Sequence, residues 1–290
     1  MSDVFRTLDE LLDSYTLPLG DWVKAFVDWG NVSLVWLWTA IRWPIEQTLD
    51  GVEGLLQALP WYVVVLIIGL ISWRLQGWRK AVVFMALMVV LGFLSVDIWR
   101  FAMTTLGMIV TAVIICAIIG IPLGIWAASN NKVEATIRPV LDAMQTIHPF
   151  IYLIPVVFFF GIGKVPGTIA TVVFALPPIV RLTNLGIRQV PEETVEAARA
   201  FGSTDRQTLW EVQLPLARPA IMAGLNQTLM LALSMVVIVA IIAGGGLGQQ
   251  IFRAVGRVDV PLATNSGLAV LILAIILDRL SQTQRARGLE

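Results

Sequence analysis

VPEETVEAARAFGSTDRQTLWEVQLP, residues 190–215, is a polar insert between two long apolar runs. Its local signals are those of two short helices. Pro191 suits a first helical position, and Glu192 and Glu193 suit the positive end of a helix. Val195, Ala197, Ala198, Ala200 and Phe201 give that helix an unusually small-residue surface, and Gly202 supplies its left-handed exit. Thr204 with Gln207 matches a capping box opening a second short helix through Trp210. Leu214-Pro215 is then expected to turn the chain back into the next apolar run. The result is a helical hairpin displayed in water, its first helix smooth enough to slot into a groove of another protein.

The flanks of this hairpin define the solvent. The chain has 290 residues, of which 57% are hydrophobic and 14% charged, well below the quarter typical of soluble domains. Its mean hydropathy is +0.81. A helix needs about 20 apolar residues to cross a bilayer core, and seven runs approach this. They are Leu59–Trp73, Ala81–Val96, Phe101–Ser129, Pro149–Gly161, Gly167–Leu185, Leu216–Ala243 and Pro261–Leu280. The first and fourth are short, and the fourth suits a broken or partly re-entrant helix. Gly244-Gly245-Gly246-Leu247-Gly248, after the sixth run, is a stretch that no stable helix places in its interior. The expected fold is an all-α multi-pass membrane protein of about seven spans.

Charge placement orients it. Arg74, Arg79 and Lys80 follow the first run, and Lys132 and Arg138 the third. Arg181 and Arg188 end the fifth, Arg199, Arg206 and Arg218 precede or open the sixth, and Arg279, Arg285 and Arg287 follow the seventh. Basic connections face the cytoplasm, so the N-terminus is expected outside and the C-terminus inside. Arg253 and Arg257 are the exception. Residues 1–58 agree, with Arg6, Lys24 and Arg42 against Asp3, Asp9, Glu10, Asp13, Asp21, Asp28, Glu46, Asp50 and Glu53. Within them Trp22, Trp29, Trp36 and Trp43 recur every seven residues, which is one narrow stripe of a helix, and Pro44 is expected to stop it. An amphipathic helix at the outer interface, an eighth span and a tryptophan ligand cage are the open readings.

Several functions lack their residues. Lys+Arg and Asp+Glu balance at 20 each, which gives no reason to expect nucleic acid as a partner. Cys116 alone allows no intrachain disulfide. The acidic N-terminus does not read as a cleaved signal peptide. Ion-driven transporters place an ionisable group at mid-membrane, whereas Asp97, Asp142, Asp259 and Asp278 fall at predicted span ends. His148, the only histidine, opens the fourth run and reads as structural. Gly161-Ile162-Gly163-Lys164 fails as a phosphate loop, because Phe158 stands at the first required glycine and Val165 at the Ser/Thr. The driving energy has to come from another chain.

Glu196-Ala197-Ala198, Gly202 and Val212-Gln213-Leu214-Pro215, at their spacing, resemble the EAA loop of binding-protein-dependent ABC importer permeases. Met144-Gln145-Thr146, Tyr152–Pro155, Phe160–Gly163, Pro177–Thr183, Met222–Gln227, Leu233–Val237 and Leu277–Leu280 resemble the glycine betaine/proline/choline branch. The likeness covers roughly 101–282. Ile147–Phe150 and Asp259–Asn265 depart from it.

The resemblance implies a type I ABC importer permease fold in a bacterial inner membrane. It implies an extracytoplasmic tail over 1–58, two peripheral spans over 59–96 and a core over 97–290 that carries the loop at 190–215. Glu196, Ala197, Ala198, Gly202, Leu214 and Pro215 would couple to a cytoplasmic ATPase, which uses ATP and Mg while this chain holds no cofactor and catalyses nothing. A substrate-binding protein would deliver the solute to a permease homodimer set in lipid. Quaternary ammonium solutes such as glycine betaine, choline or carnitine would be the cargo. Aromatic faces suffice for a trimethylammonium head, so Tyr152, Phe158, Phe159 and Phe160, with Asn226 and Ser234, are the candidate pathway lining. Taurine, nitrate or methionine branches and a secondary transporter are the alternatives. Gly120 and Gly124 are spaced to bring two helices close, or Pro122 kinks that helix between them. An Ala197→Cys variant in intact cells is expected to resist a membrane-impermeant thiol reagent and to label after the cells are opened; labelling from outside would reverse the topology.

Overall fold

A computed structural model describes residues 18–286, and every regular element among them is helical. Arg6, Asp3, Asp9, Glu10, Asp13 and Arg287, used above for orientation, lie outside the described residues. In chain order the helices are α1 (Leu19–Ser33), α2 (Val35–Ala58), α3 (Trp61–Gln76), α4 (Trp78–Leu94), α5 (Val96–Ser129), α6 (Asn131–Thr146), α7 (Pro149–Phe160), α8 (Lys164–Arg188) and α9 (Glu192–Ala200). They continue with α10 (Asp205–Ile242), α11 (Gly246–Arg257) and α12 (Val260–Ala286).

Four helices are each long and apolar enough to cross a membrane: α5, α8, α10 and, over Val260–Ser281, α12. Two further pairs pass together but are sharply bent, α2 with α3 by 105° and α6 with α7 by 104°. That gives four to six spans where the apolar runs suggested seven. The difference lies mainly in α4, whose 17 residues fall short of the ~20 that a straight crossing needs. At the second bend Pro149 removes a donor and steers His148 out of helical geometry. His148 then caps α7, its Nδ1 accepting from the Phe150 amide at 3.3 Å, with its ring stacked on Phe150.

α8 occupies the middle of the bundle, with α5 on one side and α10 on the other. Small residues set both distances. A Cβ added to Gly120 would lie 2.4 Å from Ile179, and one on Gly124 2.5 Å from Thr183 and 2.8 Å from the Val180 carbonyl. On the other side, Gly186 would meet Ala220 at 2.6 Å and Gly224 the Ile179 Cα at 3.1 Å. The Gly120/Gly124 spacing thus brings helices together, and α5 continues unbroken through Pro122. Ile109, Ala112, Cys116, Val172, Ala175, Ile179 and Ala232 fill this seam, and the buried Cys116 thiol donates to the Val172 carbonyl. A second cluster packs α3 and α4 on α5 and α12 through Val64, Phe84, Met88, Leu91, Trp99 and Leu273.

Two prolines behave otherwise than expected. Pro44 does not stop its helix, because α2 runs through it to Ala58. Thr48 donates to the Pro44 carbonyl at 2.7 Å, and Ile45 and Leu49, just beyond, are buried in an apolar cluster. Tertiary burial outweighs one missing backbone hydrogen bond. Leu214-Pro215 does not turn the chain either. The capping box at Thr204 and Gln207 is present, but its helix passes through a π segment, Thr208–Gln213, straight into the long apolar stretch. There the Leu214 amide bonds to the Leu209 carbonyl. The wider π turn moves a carbonyl out of the way of the Pro215 ring.

The chain divides into two compact units, Met1–Ile41 and Arg42–Glu290. In the first, the Trp38 indole donates to the Gly30 carbonyl at 3.0 Å across the break between α1 and α2. Trp22, Trp29, Trp36 and Trp43 are all exposed.

Gly124→Leu is expected to destabilise the protein by about 1–3 kcal/mol or more through overpacking of the α5–α8 seam. Gly256→Ala, where an added Cβ meets nothing within 4 Å, is expected to be neutral or slightly stabilising. Thermal aggregation monitored by size-exclusion chromatography in detergent measures both.

Candidate functional site

The hairpin projects from the bundle as a small, self-supporting handle. α9 has no buried residue, so its Glu196, Ala197 and Arg199 face outward. Gly202 leaves it at φ +90°, open to space on all sides of its absent Cβ. The Gly202 and Ser203 amides return to the Arg199 and Ala198 carbonyls, which satisfies the helix end in the manner of a left-handed cap. Across the turn, Arg199 pairs with Asp205 at 3.0 Å. Both are exposed, so this pair fixes orientation more than it adds stability. Phe201 is 92% exposed at the tip. It stands beside the small side chains of Ala197 and Ala200, which are exposed too. Leu214 and Pro215 lie at the base of the handle, on the helix that continues into the bundle.

A set of charged residues lies beside that base. α8 ends at Arg188, three residues before Pro191. Arg188 pairs with Glu134 at 3.1 Å and donates to the Ala127 carbonyl at 2.8 Å. Arg181 pairs with Asp142 at 2.5 Å. These contacts tie α6 to α8 around an open cavity of about 380 Å³ that Arg138 and Asn184 also line.

The residues expected to line a pathway do not gather in this cavity. Tyr152 sits at the α6–α7 bend, where its hydroxyl donates to the Ala143 and Met144 carbonyls. Phe158 is exposed, while Phe159 and Phe160 are part-buried at the far end of α7. Phe160 packs against the Ile45–Leu49 cluster. Asn226 accepts from Ser281 of α12, and exposed Ser234 donates to Met230 of its own helix.

One polar cluster escaped the sequence reading. Glu53, 7% exposed, accepts from Lys164 Nζ at 2.6 Å, Thr104 Oγ1 at 2.8 Å and Gln57 Nε2 at 2.8 Å, all on Oε1. It joins α2, α5 and the start of α8 across 111 residues of sequence between the charges. A faint signal existed. Ile45, Leu49, Glu53 and Gln57 recur every fourth residue, so a carboxylate continues an apolar stripe.

A bundle of membrane-length apolar helices with an exposed helical handle is the architecture of a multi-pass membrane protein that presents a surface beyond its spans. The family model for the binding-protein-dependent transport system inner membrane component matches residues 120–282. The glycine betaine/proline betaine transport system permease protein ProW of Escherichia coli K12 is 48% identical over 276 residues, 94% of this chain and 77% of that protein. The glycine betaine/carnitine transport permease protein GbuB of Listeria monocytogenes is 45% identical over 92% of this chain and 95% of its own. A chain of the inward-facing MetNI methionine ABC transporter aligns with a TM-score of 0.57 at 25% identity, covering 66% of this chain and 93% of that one. The chain belongs to the family of binding-protein-dependent transport system inner membrane components, and it is a multi-pass inner-membrane permease.

Thr204→Ala removes the hydroxyl that caps the Gln207 amide and is expected to cost the handle about 1 kcal/mol. Limited trypsin digestion of the detergent-solubilised protein is expected to cut faster at Arg199 and Arg206, with the bundle fragments unchanged.

Proposed function

We propose that two copies of this permease form an import pathway for quaternary ammonium osmolytes, driven by a separate cytoplasmic ATPase that uses ATP and Mg. The observation that carries the substrate class is its high identity, nearly end to end, to permeases named for glycine betaine with proline betaine or carnitine. Glycine betaine is a zwitterion with no net charge, so a pathway for it works with aromatic faces and needs no fixed counter-charge. Tyr152, Phe158, Phe159, Phe160, Asn226 and Ser234 lie along α7 and α10. They would line a pathway completed by the second copy.

The handle serves the ATPase. Glu196, Ala197, Ala198 and Gly202 present the flat helix surface, Phe201 gives it an anchor, and Leu214 and Pro215 hold the base. ATP hydrolysis takes place in the partner and not in this chain. The N-terminus faces outside and the C-terminus inside, supported by the basic residues grouped near the handle: Lys132, Arg138, Arg181, Arg188, Arg199, Arg206 and Arg218. On this topology α3 and α4 are two peripheral spans over 59–96, the bent α6–α7 pair is one span, and the total is seven. Residues 97–290 form the core, and the exposed tryptophans of residues 18–58 lie at the outer interface, where indole rings prefer to sit. An extracytoplasmic binding protein delivers the solute to this face.

Gly202→Trp is expected to leave the protein inserted while abolishing co-purification of the ATPase subunit and uptake of radiolabelled glycine betaine. Recovery of the ATPase at wild-type levels would defeat the assignment of the handle. Uptake that survives ATP depletion with the ion gradients held would defeat the driving force.

A further inference from the structure

Glu53 stands where four helix ends meet. Lys164, its ion-pair partner, follows a turn in which Gly161 and Gly163 have φ of +80° and +137°. The Gly163 amide of that turn donates to the Ile242 carbonyl at the end of α10, at 3.0 Å. The Lys164 stem lies against Gly245, where an added Cβ would be 3.4 Å away. Thr105, next to the Thr104 that holds Glu53, accepts from the Leu247 amide at 2.8 Å. A Cβ on Gly246 would come within 2.4 Å of the Thr105 hydroxyl. Gly107 packs on the Glu53 Cβ. The turn before α8, the α10–α11 loop, α5 and α2 are thus held through one carboxylate and its neighbours.

α8 is 25 residues long, and Lys164 begins it while Arg188 ends it beside the handle. The cluster therefore lies at the opposite end of the bundle from α9. Its surroundings are rich in positive-φ backbone, at Gly161, Gly163, Ala243, Gly245 and Gly246, and such positions absorb rotation between helices at low cost where they are glycine.

Apolar residues would fasten α2 as firmly, since buried ion pairs rarely exceed well-packed apolar replacements in stability. Leu49 and Ile45 already do so one and two turns away. What the ion pair adds is discreteness, because it is either made or broken. Both broken partners remain tolerable. The Lys164 side chain is 44% exposed and can pass to water, and Glu53 keeps Thr104 and Gln57. We propose that Glu53 is a positioning residue of the transport cycle: through Lys164 it holds α2 as a strap over the end of the bundle remote from the ATPase, and closing the pathway there requires this contact. The proposal rests on the importer reading given above.

The test uses the complete transporter in proteoliposomes, with its ATPase and with a glycine betaine-binding protein from the same genome loaded with glycine betaine. Glu53→Gln is expected to insert and to retain the ATPase, to raise hydrolysis without binding protein by about fivefold, and to lower uptake per ATP hydrolysed. The exchange Glu53→Lys/Lys164→Glu is expected to restore coupling to near the wild-type ratio, which assigns the effect to the pair, while uncoupled hydrolysis in an inserted Glu53→Gln complex is the readout that a merely structural loss would not give. A Glu53→Cys/Lys164→Cys pair is expected to show the lowered uptake per ATP of Glu53→Gln, to lose that remaining uptake when joined by a short methanethiosulfonate cross-linker, and to return to the lowered level on reduction. Wild-type coupling in Glu53→Gln, no recovery in the exchange, or uptake undiminished by cross-linking overturns the proposal. A wild-type complex that the binding protein does not stimulate instead removes the importer reading, and this inference with it.

Discussion

The structure depends on how closely α8 approaches α5 and α10. In hydrocarbon there is no hydrophobic drive between helices, so association rests on close van der Waals contact, and small residues set that contact. Gly120 and Gly124 on α5, Gly186 on α8 and Gly224 on α10 let backbones approach where any side chain would collide. α8 is accordingly the most enclosed of the four membrane-length helices, with 72% of its apolar window buried. α3 and α4 are apolar nearly all round and leave many large apolar side chains exposed, among them Leu66, Leu70, Val82 and Val90.

That arrangement makes α8 the common member of two polar ends. At one end Lys164 meets Glu53; at the other Arg181 and Arg188 meet Asp142 and Glu134 on α6. Neither end is simply apolar: one joins α8 to α2, and the other joins it to α6 of the bent α6–α7 pair. Charge lies where helices must be aligned, and apolar packing lies between. This division suits a molecule whose helix ends rearrange about a stiff middle.

Much of this was legible in the sequence, and the failures share a cause. The apolar runs of α5, α8, α10 and α12, the Thr204–Gln207 cap, the left-handed Gly202 and the close helix pair at Gly120 and Gly124 are all local signals, and all are present. The lone His148 has its structural role as a cap. Pro44 and Pro215 misled because a proline signals a helix end only when nothing nearby outweighs it. Buried Ile45 and Leu49 do so in one case and a π turn in the other. The Glu53–Lys164 pair was invisible because 111 residues separate its members, and no periodicity reaches across that distance. Hydropathy suggested seven runs where four helices and two bent pairs have the length and composition to cross, because composition does not show that α4 has only 17 residues or how sharply α6 and α7 bend.

The continuity of α10 has a mechanical consequence. Its 38 residues, at about 1.5 Å each, extend roughly 57 Å, against a hydrocarbon thickness of ~30 Å. The same rod that is wedged by Gly224 against α8 also carries the exposed handle at its N-terminal end. A tilt of a few degrees at the wedge sweeps the handle through a distance several times larger than the displacement near the pivot. The π segment sits at the emergence point, where it sets the direction in which the handle points. The protein thus has the geometry of an oar in its rowlock, with the blade in the cytoplasm on the proposed topology and the fulcrum in the glycine seam.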